Sequence, residues 1–331
     1  MAKNSILVTG GAGYIGSHVV RQLGEAGESI VVLDNLSTGF KSAVLHGDLI
    51  IGDTGDKELV SKVIADFAVD TIMHFAAHTI VPESVENPLK YYANNTCCSR
   101  NLLECASNAN VRHVIFSSTA AVYGNPPDGK AVETSPTEPI NPYGTSKLMT
   151  EWMLRDLSAV TDMTHVALRY FNVAGCDPKG RIGQSTANAT LLTKVACEAA
   201  VGKREQLYIY GTDYLTPDGT GLRDYIHVED LARAHLDALT YLRNDGTSTT
   251  LNCGYGYGYS VREVIAAVER ACEHSLNIVE TDRRAGDPPQ LIAIADKIRS
   301  TLLWKPTHDD LDVIVSSALN WERRLLKQPA E

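Results

Sequence analysis

Ser5-Ile6-Leu7-Val8-Thr9-Gly10-Gly11-Ala12-Gly13-Tyr14-Ile15-Gly16 runs from a strand-forming stretch through glycines at positions 10, 13 and 16 into a helical pattern. Residues 5 to 9 read as a short buried strand, and apolar residues recur at helical spacing from Tyr14 to Glu25. A second buried run follows at 29 to 34. Strand, helix and strand in that order form a βαβ unit with parallel strands.

The same alternation continues outward. Apolar, β-rich runs recur at Asp70 to Phe75, His113 to Ser117 and His165 to Phe171, separated by helix-like segments. This predicts an α/β fold, a doubly wound parallel sheet of Rossmann type with helices on both faces. After about residue 173 the alternation weakens and loops lengthen, at Gly175 to Gly183 and Thr212 to Gly221. We therefore divide the chain into residues 1–173, a dinucleotide-binding domain, and 174–331, a smaller α/β substrate domain. The runs near 224–228 and 250–253 are expected to return to the first sheet and interleave the two.

Composition narrows the function. The 331 residues carry a formal net charge of −10, with no basic stripe, which argues against a nucleic-acid partner. No run approaches the roughly 18 apolar residues of a membrane span, and the N-terminus shows no signal-peptide pattern. The seven cysteines are scattered without CxxC pairing, so they read as reduced thiols, and no Cys/His cluster suggests a metal. From these features a cytoplasmic protein is expected.

Gly10, Gly13 and Gly16 fall where a strand meets a helix. Such glycines let a pyrophosphate approach backbone N–H groups at a helix N-terminus, although a Gly-rich structural turn would look the same. Asp34 ends the second strand, where a carboxylate can accept hydrogen bonds from an adenosine ribose. That favours NAD, since the extra phosphate of NADP would face a like charge. Asp53 either meets the adenine edge or is a solvated loop acid.

Tyr143 and Lys147 lie one helical turn apart behind Pro142, which suits a helix start. No other tyrosine has a lysine four positions later. A phenol acting as a base near neutrality must have its pKa lowered by roughly three pH units, about 4 kcal/mol. A neighbouring ammonium and an oxidised nicotinamide both favour the phenolate. Thr119, ending Phe116-Ser117-Ser118-Thr119, is either a second hydroxyl on the reacting oxygen or a turn residue.

Together the glycine motif, the Ser-Ser-Thr run and the Tyr143/Lys147 pair resemble the extended short-chain dehydrogenase/reductase family. Arg169-Tyr170-Phe171-Asn172-Val173-Ala174-Gly175 and Asp218-Gly219-Thr220-Gly221-Leu222-Arg223-Asp224-Tyr225-Ile226-His227-Val228 resemble its UDP-hexose 4-epimerase branch. The resemblance implies an NAD site formed by Gly10, Gly13, Tyr14, Ile15, Gly16, Asp34, Asn35, Asp53, Thr54, Phe75, Ala76, Ala77, Asn94, Lys147 and Phe171. It places Thr119 and Tyr143 on the sugar hydroxyl. Asn172, Leu192, Tyr208, Tyr210, Arg223, Tyr225, Arg284 and Asp287 would line the UDP site, with two arginines suited to a diphosphate.

The implied activity is interconversion of UDP-glucose and UDP-galactose through a transient 4-keto sugar, with Tyr143 as acid/base and Lys147 lowering its pKa. A homodimer pairing segments about 88–108 and 143–158 is also implied. Three positions depart from family members: Thr79 replaces a lysine near the cofactor, Leu191 replaces Asn or His beside UDP, and Leu291 replaces a tyrosine that restricts some relatives to unmodified hexoses. Leu291 therefore opens the way to UDP-N-acetylhexosamines. Among alternatives, a 4,6-dehydratase would be expected to carry Asp-Glu where Ala120 and Ala121 follow Thr119. A reductase would exchange its cofactor each cycle, and a silent NAD-binding regulator would be expected to lose Tyr143 or Lys147.

Overall fold

The computed structural model describes residues 4–187, 189–284 and 286–327. Seven of the described strands form one parallel sheet, in the order 249–253, 164–170, 113–119, 69–74, 5–9, 30–34, 48–51. Side chains alternate across it, Ile6 and Val8 entering one core and Leu7 the other. Both faces are covered, which explains why the inner strands read as unbroken apolar runs. Strand order reverses between 5–9 and 69–74, opening a crevice at the strand C-termini.

Two helices matter most for the site. Tyr14–Glu25 starts directly from the glycine turn and buries Gly16, Val19, Val20 and Leu23. Pro142–Ser158 starts where the Asn141 side chain accepts the Gly144 N–H at 2.9 Å, with Pro142 at the first helical position. The helix-like stretch near 88–108 is interrupted by a π-helical turn at Tyr92–Cys97, between Pro88–Tyr91 and Cys98–Asn108. Extra residues of this kind within a helix often occur at functional sites.

The strand Thr249–Cys253 pairs with Thr164–Tyr170 at the edge of the large sheet. The 224–228 segment does not return to that sheet, contrary to the sequence expectation. Tyr225–His227 instead pairs with Asn172–Ala174 in a separate two-stranded sheet. Asn172–Ala174 follows the Thr164–Tyr170 strand directly after Phe171, so this pair lies beyond the C-terminal end of that strand. A four-stranded sheet, ordered 259–260, 222–223, 290–293, 130–131, faces the crevice and draws Lys130–Ala131 from the first half of the chain. No described helix is long and apolar enough to cross a membrane.

Candidate active site

The crevice at the strand ends is a cleft of about 720 Å³. Every cofactor, catalytic and substrate residue expected from the sequence lines it. The chain reaches the cleft from the glycine turn, the ends of the strands near residues 34, 75, 119 and 171, the helix bearing Tyr143, and the 208–225 and 284–291 segments.

At the glycine turn the backbone determines the shape. A Cβ on Gly16 would lie 2.3 Å from the Gly10 carbonyl oxygen, and one on Gly10 (φ 72°) would lie 2.6 Å from the Ala76 nitrogen. Gly13 caps the Tyr14 helix with no side-chain hydrogen bond, leaving N-terminal N–H groups at the cleft. Asp34 accepts the Ala12 N–H at 2.9 Å through Oδ2 and the Leu36 N–H at 2.8 Å through Oδ1. Each of its oxygens keeps a second lone pair, suited to a ribose diol. Asp53 is held by Asn35 Nδ2 at 3.0 Å and by the Gly55 N–H at 2.7 Å. These groups fit a dinucleotide: an uncapped helix terminus for the pyrophosphate and a fixed carboxylate for the ribose.

Tyr143 and Lys147 face the cleft from one side of their helix, both buried. Lys147 Nζ donates to the Ser117 carbonyl at 2.9 Å and lies 4.9 Å from the centre of the Phe116 ring. That leaves further N–H donors for a ligand. Thr119 closes the constellation at the end of its strand, and its hydroxyl also caps the next turn by accepting the Ala121 N–H at 3.1 Å.

In the protein alone the electrostatics differ from the sequence expectation. Burial raises the Tyr143 pKa, with Thr119 pulling the other way, and burial lowers the Lys147 pKa to about 7. Without a ligand, burial dominates both groups, because taking an ammonium and a phenolate out of water costs each of them.

Sequence reading did not identify a polar network behind the pair. Asn95, in the π-helical turn, accepts the His78 N–H at 2.8 Å and donates to the Ser146 hydroxyl at 3.0 Å. Ser146 in turn donates to the Tyr143 carbonyl at 2.7 Å. His74 joins Thr9 at 2.6 Å and Ser99 at 2.8 Å, and burial lowers its pKa to about 3. A buried asparagine inside an apolar helical pattern was the available signal; the π turn that aims it was not readable.

The far wall bears the other expected groups. Tyr208 and Tyr210 lie side by side with ring centres 6.2 Å apart. Burial lowers the Arg223 pKa, and Arg223 Nη1 donates to the Leu222 carbonyl at 2.8 Å. Arg284 packs on Tyr210 and donates to Asp287 at 2.9 Å. The helix Leu192–Ala200 begins at Leu191 with no side-chain cap, and both residues line the cleft, so this helix terminus faces it. Leu291 lines the cleft from the four-stranded sheet.

A glycine-turn dinucleotide site joined to a Tyr/Lys pair at a parallel-sheet crevice defines an enzyme that performs redox chemistry on a second bound ligand. The chain belongs to the NAD dependent epimerase/dehydratase family, whose model matches residues 6–254. It is 55% identical over 325 residues to the UDP-glucose 4-epimerase of Azospirillum brasilense, covering 98% of this chain and 93% of the relative. The crystal structure of UDP-glucose 4-epimerase from Brucella ovis with NAD superposes with a TM-score of 0.93 at 42% identity, covering 96% and 98% of the two chains. A UDP-Glc/GlcNAc 4-epimerase from Campylobacter jejuni gives 0.85 at 48% identity, covering 97% and 99%.

Proposed function

We propose that the chain is a UDP-glucose 4-epimerase, interconverting UDP-glucose and UDP-galactose with NAD as cofactor. The observation that carries the reading is that Tyr143, Lys147 and Thr119 share one cleft with the glycine turn and with Arg223 and Arg284. Residues 1–173 hold NAD through the glycine turn, Asp34, Asp53 and Lys147. Residues 174–331 hold UDP, with Arg223, Arg284 and the Leu192 helix terminus on the diphosphate and the exposed tyrosines on the base and ribose.

Tyr143 takes the proton of the sugar 4-hydroxyl, and Thr119 orients that hydroxyl. Bound in its site, NAD supplies the oxidation of carbon 4 and the reverse reduction, so no external oxidant or reductant enters the cycle. The 4-keto sugar turns about a bond to its diphosphate within the cleft, and Tyr143 then returns the proton on the opposite face. Lys147, fixed by the Ser117 carbonyl and on the same helical face as Tyr143, together with the positive charge of a bound nicotinamide favours the phenolate and so lowers the Tyr143 pKa. Ala120 and Ala121 line the cleft beside Thr119 and cannot move protons, which favours epimerisation over dehydration.

Two extensions follow. Leu291, in place of a tyrosine, leaves room beside the sugar for an N-acetyl group, a substrate class named for the Campylobacter jejuni relative. The protein forms a homodimer through the helices ending at Asn108 and Ser158, where Trp152 is exposed, and works in the cytoplasm with its seven cysteines reduced. The decisive test is conversion of UDP-galactose to UDP-glucose by purified protein without added reductant. Activity in the wild type and its loss in Tyr143→Phe support the reading; a wild type that retains NAD but converts nothing rejects it.

A further inference from the structure

Ser118, Glu151, Arg169, Tyr123 and Asn252 form one unbroken buried chain behind the cleft, yet none of them lines it. Glu151 lies one turn beyond Lys147 on the same helical face as Tyr143. Its Oε1 accepts the Ser118 hydroxyl at 2.5 Å and Arg169 Nε at 2.9 Å, and its Oε2 accepts Arg169 Nη2 at 2.5 Å. Ser118 sits between Ser117, which holds Lys147, and Thr119. Arg169 Nη1 donates to the Tyr123 hydroxyl at 2.9 Å, and that hydroxyl donates to Asn252 Oδ1 at 2.6 Å. Asn252 Nδ2 then donates at 2.9 Å to the Ala131 carbonyl, in the small sheet that carries Arg223 and Leu291.

We infer that this chain is a positioning device that sets the Tyr143 helix and the Thr119 strand end against the sheet presenting the sugar. A buried ion pair often adds little stability over apolar residues of equal volume, so its presence here is better explained by direction than by energy. Charge-assisted and neutral hydrogen bonds link every member, so the two ends are tied to each other through directional contacts. A displacement of about 1 Å between reacting groups costs on the order of a hundredfold in rate. The groups held at one end are the proton-transferring residues, and those at the other end contact the sugar nucleotide.

This inference rests on the epimerase reading. Two near-isosteric substitutions each remove one hydroxyl from the network, Ser118→Ala at one end and Tyr123→Phe at the link before Asn252. With wild-type, single and double variants as full-length protein, we expect each single variant to lose about tenfold in kcat. KM for UDP-galactose and retained NAD stay unchanged, and melting temperature shifts little. Because both hydroxyls act through one chain, the double variant loses little more than either single, a non-additivity that independent structural roles do not produce. Wild-type kcat in both single variants, or losses that multiply to about a hundredfold, overturns the inference. A wild type without epimerase activity rejects the reading of the site instead.

Discussion

Replacing Lys147 with methionine should make the nucleotide-free protein more stable while abolishing its activity. Burial lowers the lysine pKa from 10.5 to about 7, which means the folded protein disfavours the ammonium. The sign is that of a depressed lysine. Below pH 7 both states are protonated and the folded state carries the whole penalty, which shrinks as pH rises toward the unfolded value. At about 1.4 kcal/mol per pH unit the penalty is roughly 5 kcal/mol near pH 6 and roughly 2 kcal/mol near pH 9. Losing the hydrogen bond to the Ser117 carbonyl returns about 1 kcal/mol. The net gain should therefore be about 4 kcal/mol near pH 6 and about 1 kcal/mol near pH 9. Urea unfolding of nucleotide-stripped wild type and Lys147→Met at both pH values measures it. A variant less stable than wild type near pH 6, or an advantage that does not shrink with pH, would refute the reasoning.

Gly16→Ala places a Cβ 2.3 Å from the Gly10 carbonyl, so the turn must open; NAD retention, read by extraction or titration, should weaken at least about tenfold. Leu291→Tyr should cut turnover of UDP-N-acetylgalactosamine about tenfold or more while sparing UDP-galactose, as paired assays would show. His308, held at 3.0 Å by Asp230, has a raised pKa. Its contribution is present below pH 6.5 and lost as pH rises through the folded value, so His308→Ala should cost more stability at pH 5.5 than at pH 9, measured by thermal melting.

Much of the fold was legible because its inner strands are buried on both faces: Ser5–Thr9, Ile30–Asp34 and His113–Thr119 have no solvent-facing side to impose a polar alternation on their apolar runs. The site was legible where function needs a residue type at fixed spacing along one element, as with Gly10/Gly13/Gly16 and Tyr143/Lys147. What the sequence could not convey depends on partners distant in the chain. Tyr225–His227 reads as apolar whether it joins the large sheet or pairs with Asn172–Ala174, and only tertiary register decides. Glu151 followed the same four-residue spacing as Tyr143 and Lys147, so its face was readable, but its partner Arg169 lies on the strand Thr164–Tyr170. The burial that raises the Tyr143 pKa in the ligand-free protein was not readable either, because spacing shows a neighbouring charge but not the depth at which both groups sit.

The most direct test of the account is the fate of hydrogen at carbon 4. UDP-galactose carrying deuterium at that carbon is converted by the wild-type protein with no nucleotide added, and the product is analysed by mass spectrometry and NMR. The account predicts that the UDP-glucose formed keeps its deuterium at carbon 4, because the same hydrogen leaves and returns within one turnover. Loss of the deuterium to solvent would contradict it.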